Sequence, residues 1–237
     1  MCAAAGNRVQ ENIRDASGTL VRTHRRVFDE LSRLFQEVGA YNHTTAWGYD
    51  PNGQVRTITD PLRRVTEQRF DALNRLIERT DAGGGISRFE YDGADHVVAV
   101  TDPRGNRTEY TVDGFGRVIQ QRSPDSGVTT YRYDEAGNRI EQTDARGVIT
   151  QYDYDALNRL IAQRFPATPE HNVTYSYDDT TGGNPGRGRL TGIQHANGNT
   201  LAWRYDDRGN VIQDTRTLNG RVYTTAYAYD LADRLIE

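Results

Sequence analysis

An aromatic or apolar residue followed by Asp returns at one fixed interval along this chain: Phe28-Asp29, Tyr49-Asp50, Phe70-Asp71, Tyr91-Asp92, Val112-Asp113, Tyr133-Asp134 and Tyr154-Asp155, each Asp 21 residues after the last. Seven copies in register mark a tandem array, and such a repeat decides the fold before any local motif does. The interval then lengthens to 23, 28 and 24 residues at Tyr177-Asp178, Tyr205-Asp206 and Tyr229-Asp230. Extra residues around Pro166 to Pro169 and Thr180 to Gly188 account for the slack, and insertions of this kind belong in loops. The array is expected over residues 18–237, degenerate from about 165, with residues 1–17 a tag, a disordered arm or a partial unit.

Three residues after the repeat Asp stands Gly53, Asn74, Asp95, Gly116, Gly137, Asn158, Gly209 or Asp233, all types that tolerate a left-handed backbone. Asp at the first position of a turn accepts hydrogen bonds from nearby N–H groups, and Gly or Asn at the fourth closes a type I turn with a bulge. Asp50, Asp71, Asp92, Asp113, Asp134, Asp155, Asp206 and Asp230 are therefore expected as turn residues. Ser32 and Thr181 break the rule, which predicts distortion of their two units. A second turn follows about ten residues on, in Thr80-Asp81-Ala82-Gly83-Gly84, Thr101-Asp102-Pro103-Arg104-Gly105 and Thr143-Asp144-Ala145-Arg146-Gly147, with divergent versions at Asp60 and Ser123. Each unit thus reads strand, turn, strand, turn.

Between turns the side chains alternate: Thr150, Tyr152 and Tyr154 share one face, and Ile149, Gln151 and Asp153 the other. Aromatic pairs two residues apart recur at Trp47/Tyr49, Phe89/Tyr91, Tyr131/Tyr133, Tyr152/Tyr154, Tyr175/Tyr177, Trp203/Tyr205 and Tyr227/Tyr229. Stacked strands would bring these into an aromatic stripe of cross-strand pairs, each contributing roughly 0.2–1 kcal/mol. Such a row also suits sugar or nucleic-acid stacking, although its repeat spacing favours packing. Around Phe28 to Phe35 the apolar spacing is helix-like, yet Phe28-Asp29-Glu30-Leu31-Ser32-Arg33-Leu34 matches Phe70–Leu76 and Tyr154–Leu160 in register, so strand and turn are expected there.

Composition agrees with an extended sheet. Hydrophobic residues make up 35% of the chain and mean hydropathy is -0.80, while Gly (23) and Tyr (14) are abundant. Cys2 is the single cysteine, so no intrachain disulfide or cysteine-based metal site can form. No apolar run approaches the roughly 18 residues of a membrane span, and residues 1–20 lack a secretory signal pattern. The 29 basic residues, all Arg, and the 33 acidic ones are spread along the chain, so no nucleic-acid stripe emerges from the net charge of -4.

Catalysis finds little to stand on. Nearly every carboxylate is a turn Asp, and regular repetition makes these equivalent, whereas a glycosidase-type pair needs two carboxylates with separated pKa values in a cleft. His24, His43, His96, His171 and His195 show no metal-ligand spacing, and Gly182–Gly188 lacks the Gly-Lys-Ser/Thr of a phosphate loop. No enzyme and no cofactor is expected.

Units of the form Tyr133-Asp134-Glu135-Ala136-Gly137-Asn138-Arg139 followed by Thr143-Asp144-Ala145-Arg146-Gly147 resemble the tyrosine-aspartate (YD) repeats of Rhs proteins, over residues 28–237. That resemblance implies an all-β fold of tandem antiparallel hairpins in a curved one-layer sheet, part of a spiral shell found in bacterial Rhs toxins, toxin-complex proteins and teneurins. It implies enclosure of a C-terminal toxin domain of the same parent polypeptide, secretion by a dedicated system or display at the bacterial surface, and contact with secretion spike proteins. The alternative is a cell-surface module for carbohydrate or a receptor. Typical toxin cores of the family end in a self-cleaving Asp-Pro-x-Gly-Leu segment; Asp102-Pro103-Arg104-Gly105-Asn106 and Asp60-Pro61-Leu62 are incomplete versions that fall at second turns, so autoproteolysis is not expected. The chain is short for a closed shell and stops within a strand pattern, so it reads as a segment of a longer array, whose open strand edges would pair with neighbouring repeats or a second copy.

Overall fold

The computed structural model describes residues 6–236, and among them the secondary structure is strand apart from three single 3-10 turns at Ala40–Asn42, Pro169–His171 and Thr181–Gly183. The chain forms two compact units, one reaching Val112 and including Ser123–Asp125, the other comprising Asp113–Arg122 and the residues from Ser126.

The first unit is an antiparallel meander of β1 (Gln10–Arg14), β2 (Leu20–Phe28), β3 (Leu34–Val38), β4 (Thr44–Tyr49), β5 (Val55–Thr59), β6 (Val65–Phe70), β7 (Leu76–Thr80), β8 (Ile86–Tyr91), β9 (Val97–Thr101) and β10 (Arg107–Val112), each paired with the next. The second holds β11 (Val118–Ser123) up to Arg122 and a meander of β12 (Gly127–Tyr133), β13 (Arg139–Thr143), β14 (Ile149–Tyr154), β15 (Leu160–Arg164), β16 (Val173–Tyr177), β17 (Leu190–His195), β18 (Thr200–Tyr205), β19 (Val211–Leu218) and β20 (Arg221–Ala226). The expected all-β fold of tandem antiparallel hairpins is what the chain adopts, and the helix-like segment around Phe28 to Phe35 is strand and turn.

The two strands of a hairpin differ in character. Those leading into the Asp turn alternate cleanly: in β6, β10 and β16 every second side chain is half-buried and the one between is exposed, so Phe70, Tyr110 and Tyr175 share the protected face of their strands. The return strands, such as β5, β7 and β13, are half-buried along most of their length. A bulge interrupts the ladder immediately before the repeat aromatic, at Gly48/Tyr49, Arg69/Phe70, Glu90/Tyr91, Arg132/Tyr133, Asp153/Tyr154, Ser176/Tyr177 and Arg204/Tyr205. The extra residue lies on the return strand, Arg56 facing Gly48/Tyr49 and Ile77 facing Arg69/Phe70, and tightens the local twist.

Burial is shallow. Ala99 and Ala162 are the buried hydrophobic residues among those described, so a wide apolar core does not form in either unit. Stability has to come from hydrogen-bonded ladders and side-chain bridges instead.

Ser32 does not distort its unit: it adopts the left-handed conformation at φ 61°, its N–H bonding the Asp29 carbonyl at 3.0 Å, as Asn74 does with Asp71. The Asp29 frame imposes that backbone on a residue type that seldom chooses it. The unit at Thr181 is remodelled, with Gly188 taking the left-handed position and its N–H reaching Asp178 Oδ1. Residues 10–14 form β1, and Asp15 turns the chain into β2 by accepting the N–H groups of Ser17 and Thr19. The expectation for residues 1–5 lies outside the described residues.

Candidate functional site

The chemistry of this chain is concentrated at its turns. Asp71 shows the pattern: one carboxylate oxygen accepts the N–H groups of Leu73 and Arg75 at 2.9 and 3.0 Å, while the Asp71 N–H bonds the Arg75 carbonyl. Asp50, Asp92, Asp113, Asp155, Asp206 and Asp230 make the same two contacts with the residues two and four positions on, and Asp134 accepts the N–H of Asn138. Gly53, Asn74, Asp95, Gly116, Gly137, Asn158, Gly209 and Asp233 all stand at positive φ. The second turns use the same frame: Asp60, Asp81, Asp102 and Asp144 each hold the corresponding N–H pair, and at Asp60 the left-handed place is taken by Arg63 at φ 62°.

The other carboxylate oxygen reaches the side chain four residues on. Asp29, Asp71, Asp113 and Asp155 bind Arg33, Arg75, Arg117 and Arg159 at 2.7–2.8 Å, while Asp134 and Asp206 bind Asn138 and Asn210, and Asp92 meets His96. These bonds hold the carboxyls below the usual range. For Asp71, Asp92 and Asp155 the leading cause is the backbone N–H four residues on; for Asp113, Asp134 and Asp206 it is the side chain there.

Each guanidinium also reaches forward. Arg33, Arg75, Arg117 and Arg159 lie over the rings of Tyr49, Tyr91, Tyr133 and Tyr177, 4.4–4.9 Å from the centroids, and Arg189 lies 5.5 Å from that of Tyr205. The hydroxyls of these tyrosines donate back, to the carbonyls of Leu34 (2.7 Å), Leu76 (2.8 Å), Val118 (2.8 Å), Leu160 (3.0 Å) and Leu190 (2.5 Å). Tyr154 and Tyr229 make the equivalent bonds to Arg139 and Val211. Arg75 and Arg117 add a bond to the next turn, on the carbonyls of Asp92 and Asp134. Asp, Arg and Tyr from consecutive hairpins therefore form a clasp.

The expected cross-strand ring pairs are replaced by this arrangement. Ring-on-ring contacts among the described residues are Tyr41 with His43 and Phe165 with His171, neither of which includes a stripe tyrosine. At Tyr49, Tyr91, Tyr133, Tyr177 and Tyr205 a guanidinium, well matched to the ring's negative face, takes up one face of the ring. The clasp arginines do not follow the 21-residue repeat and return at twice that interval: Arg33, Arg75, Arg117 and Arg159 are 42 apart, and Gln54, His96 and Asn138 hold the place between.

A second device, with no signal in the sequence, lies in the Gly182–Gly188 loop. The Asn184 side chain is buried, donates to the carbonyls of Asp179 and Trp203 and accepts the Tyr205 N–H at 2.9 Å, so it substitutes for a strand backbone beside β18. On the opposite sheet face, ion pairs run across strands, as in Arg69–Glu78–Arg88 and Glu90–Arg107–Glu109. Among the described residues there is no cluster of three or more His, Cys, Asp or Glu able to hold a metal, and no helix is long and apolar enough to cross a membrane. Every resolved carboxyl shift is downward, which gives no raised acid to pair with a lowered base.

Residues 5–182 match the model of the Teneurin YD-shell family, starting earlier and ending sooner than the repeat resemblance at 28–237. None of the curated proteins matches the sequence. Among solved structures, the crystal structure of TcdB2-TccC3-TEV matches 95% of this chain at 16% identity with a TM-score of 0.67. That of TcdB2-TccC3-Cdc42 matches 96% at 14% identity and 0.62, and the Photorhabdus luminescens Tc holotoxin pore 95% at 14% and 0.60. The chain spans 15–16% of the length of those chains, and at such identity the likeness establishes the fold. Clasped hairpins, shared fold and family match agree: the chain belongs to the Teneurin YD-shell family, a structural repeat array.

Proposed function

We propose that this array is a wall segment of an Rhs-type shell that encloses a toxin domain of its parent polypeptide, for delivery against other bacteria or a host. The observation that carries this reading is the clasp, which recurs along the array at Tyr49, Tyr91, Tyr133, Tyr177 and Tyr205 and ties a hairpin to the one before it without needing an apolar core. A wall acts by exclusion, so it must resist separation of neighbouring hairpins while presenting two wet faces. Likeness to structures of TcdB2-TccC3 and of a Tc holotoxin pore supports a place in a toxin complex. Secretion by a dedicated bacterial system, with spike proteins as partners, belongs to the same proposal.

The rival reading, a carbohydrate or receptor module, needs free ring faces. Tyr49, Tyr91, Tyr133, Tyr177 and Tyr205 have a face under a guanidinium, which weighs against sugar stacking there. The test uses the full parent polypeptide under limited proteolysis. The C-terminal domain is expected to resist digestion, and the triple variant Arg75→Ala, Arg117→Ala, Arg159→Ala to expose it. Digestion of that domain at the same rate with and without the array would remove the enclosure reading.

A further inference from the structure

One second turn has lost its carboxylate. Gly39 stands 21 residues before Asp60, where the frame described above calls for Asp, and Gly39-Ala40-Tyr41-Asn42-His43 closes without one. The Gly39 N–H still bonds the His43 carbonyl at 2.8 Å, and the His43 N–H turns to Ala40 instead of to a side chain. The Tyr41 N–H, whose counterpart at Leu62 is held by Asp60, has no acceptor among the described residues.

A cavity of about 380 Å³ opens beside this turn, bordered by Val21, Arg22, Thr23, Arg25 and Tyr41. It exists because β2 runs on past the end of β3. Arg25 pairs with Val38, the last residue of β3, so residues 20–24 have β1 on one side and no strand on the other. The Arg26 N–H bonds the Val9 carbonyl, which sets the parity of the ladder: His24 and Arg22 direct their main-chain groups at β1, and Thr23 directs its own into the cavity.

The charges there are unmatched. Neighbouring Arg26 pairs with Glu11 and Glu37, and Arg8 with Glu11, but Arg22 and Arg25 have no carboxylate within ion-pairing distance among the described residues. Both line the cavity. Tyr41 and Asn42 stand in succession at φ 55° and 58°, and Tyr41 is 93% exposed at the rim.

We propose that this cavity binds a carboxylate, which takes the place of the missing turn Asp. Arg22 and Arg25 supply the charge, and the main-chain N–H groups of Thr23 and Tyr41 supply directed donors. Val21 and the Tyr41 ring offer an apolar border to the carbon skeleton, so the ligand class is a small dicarboxylate or the acidic side chain of a peptide.

Two probes separate those sources: glutarate, and the peptide acetyl-Ala-Glu-Ala-amide, with glutaramide as the uncharged control. Binding is followed by the amide signals of Thr23 and Tyr41 in NMR titration of the whole chain. At least one carboxylate probe is expected to move both signals saturably and glutaramide neither; whichever binds identifies the source. The double variant Arg22→Gln, Arg25→Gln is expected to weaken binding at least tenfold. Gly39→Asp is the sharper variant. Gly39 has an extended backbone, φ -91°, and a Cβ there would come no closer than 3.7 Å to its nearest neighbour, the His43 carbonyl oxygen, so Asp fits. It should raise thermal stability and abolish binding, because the turn then carries its own carboxylate. Failure of both carboxylate probes to bind, equal shifts with glutaramide, or undiminished binding to Gly39→Asp would each overturn the proposal.

Discussion

At Gly137 the backbone stands at φ 88°, while at Asn74 and Asn158, in the same turn position, it stands at 61° and 59°. The wider angle is open to glycine and strained for any residue with a Cβ, so Gly137→Ala is expected to lower stability by about 1–2 kcal/mol. Asn74→Gly should change it by much less, since Asn already enters this region. Urea denaturation of the two variants against the parent chain measures both; equal losses would mean that the side chain, and not the backbone angle, governs this position. The turn positions were legible in the sequence because Asp and a left-handed residue three places on are chemically distinctive at a fixed interval. Ser32 was not legible for the converse reason: its conformation follows from the Asp29 frame, while its own side chain announces nothing.

Between neighbouring hairpins, the clasp divides into parts that can be removed one at a time. Tyr133→Phe deletes the hydroxyl that donates to the Val118 carbonyl at 2.8 Å and leaves the ring under Arg117. A loss of roughly 0.5–1.5 kcal/mol is expected, the usual net value of one partly buried hydrogen bond. Arg117→Lys keeps a cation near Asp113 but forfeits the planar group that stacks on Tyr133 and donates to Asp134, and should destabilise the same joint. Hydrogen exchange is the informative readout: faster exchange confined to β11 to β13 fits neighbour-by-neighbour stability, and uniform acceleration would contradict it. The clasp was half legible. Its first three tyrosines, Tyr49, Tyr91 and Tyr133, fall on the 21-residue aromatic positions, but with Phe70 and Val112 between them they share the 42-residue interval of the arginines, and nothing in a single unit tells an arginine that bridges hairpins from one that faces water. Asn184 was not legible at all, since its use as a surrogate strand depends on how an irregular loop folds back.

For the whole molecule the turn carboxyls act together. Asp29, Asp71, Asp92, Asp113, Asp134, Asp155, Asp206 and Asp230 are all held below their ordinary value in the folded chain. The folded state therefore binds fewer protons than the unfolded one in acid, so stability is flat from neutral pH to about 4 and falls as pH drops through the lowered folded values. Loss of negative charge among 33 acidic residues also leaves 29 arginines repelling one another. Circular dichroism at stepped pH should show an intact sheet at pH 5 and unfolding below about 3.5; a sheet unchanged at pH 2 would mean the carboxylate bonds contribute little.

The pairing of every strand with the strand next to it in the chain, within each meander, bears on how such a molecule is made. No segment of a meander must wait for a partner synthesised a hundred residues later, which is the usual source of slow steps in β-rich proteins. As the hairpin of Tyr91 leaves the ribosome, for example, its tyrosine finds the preceding hairpin's Leu76 carbonyl and Arg75 already in place. Assembly can then advance by accretion from one end, at the pace of translation, so that the growing edge is a single strand and the exposed sticky surface stays constant however long the array becomes.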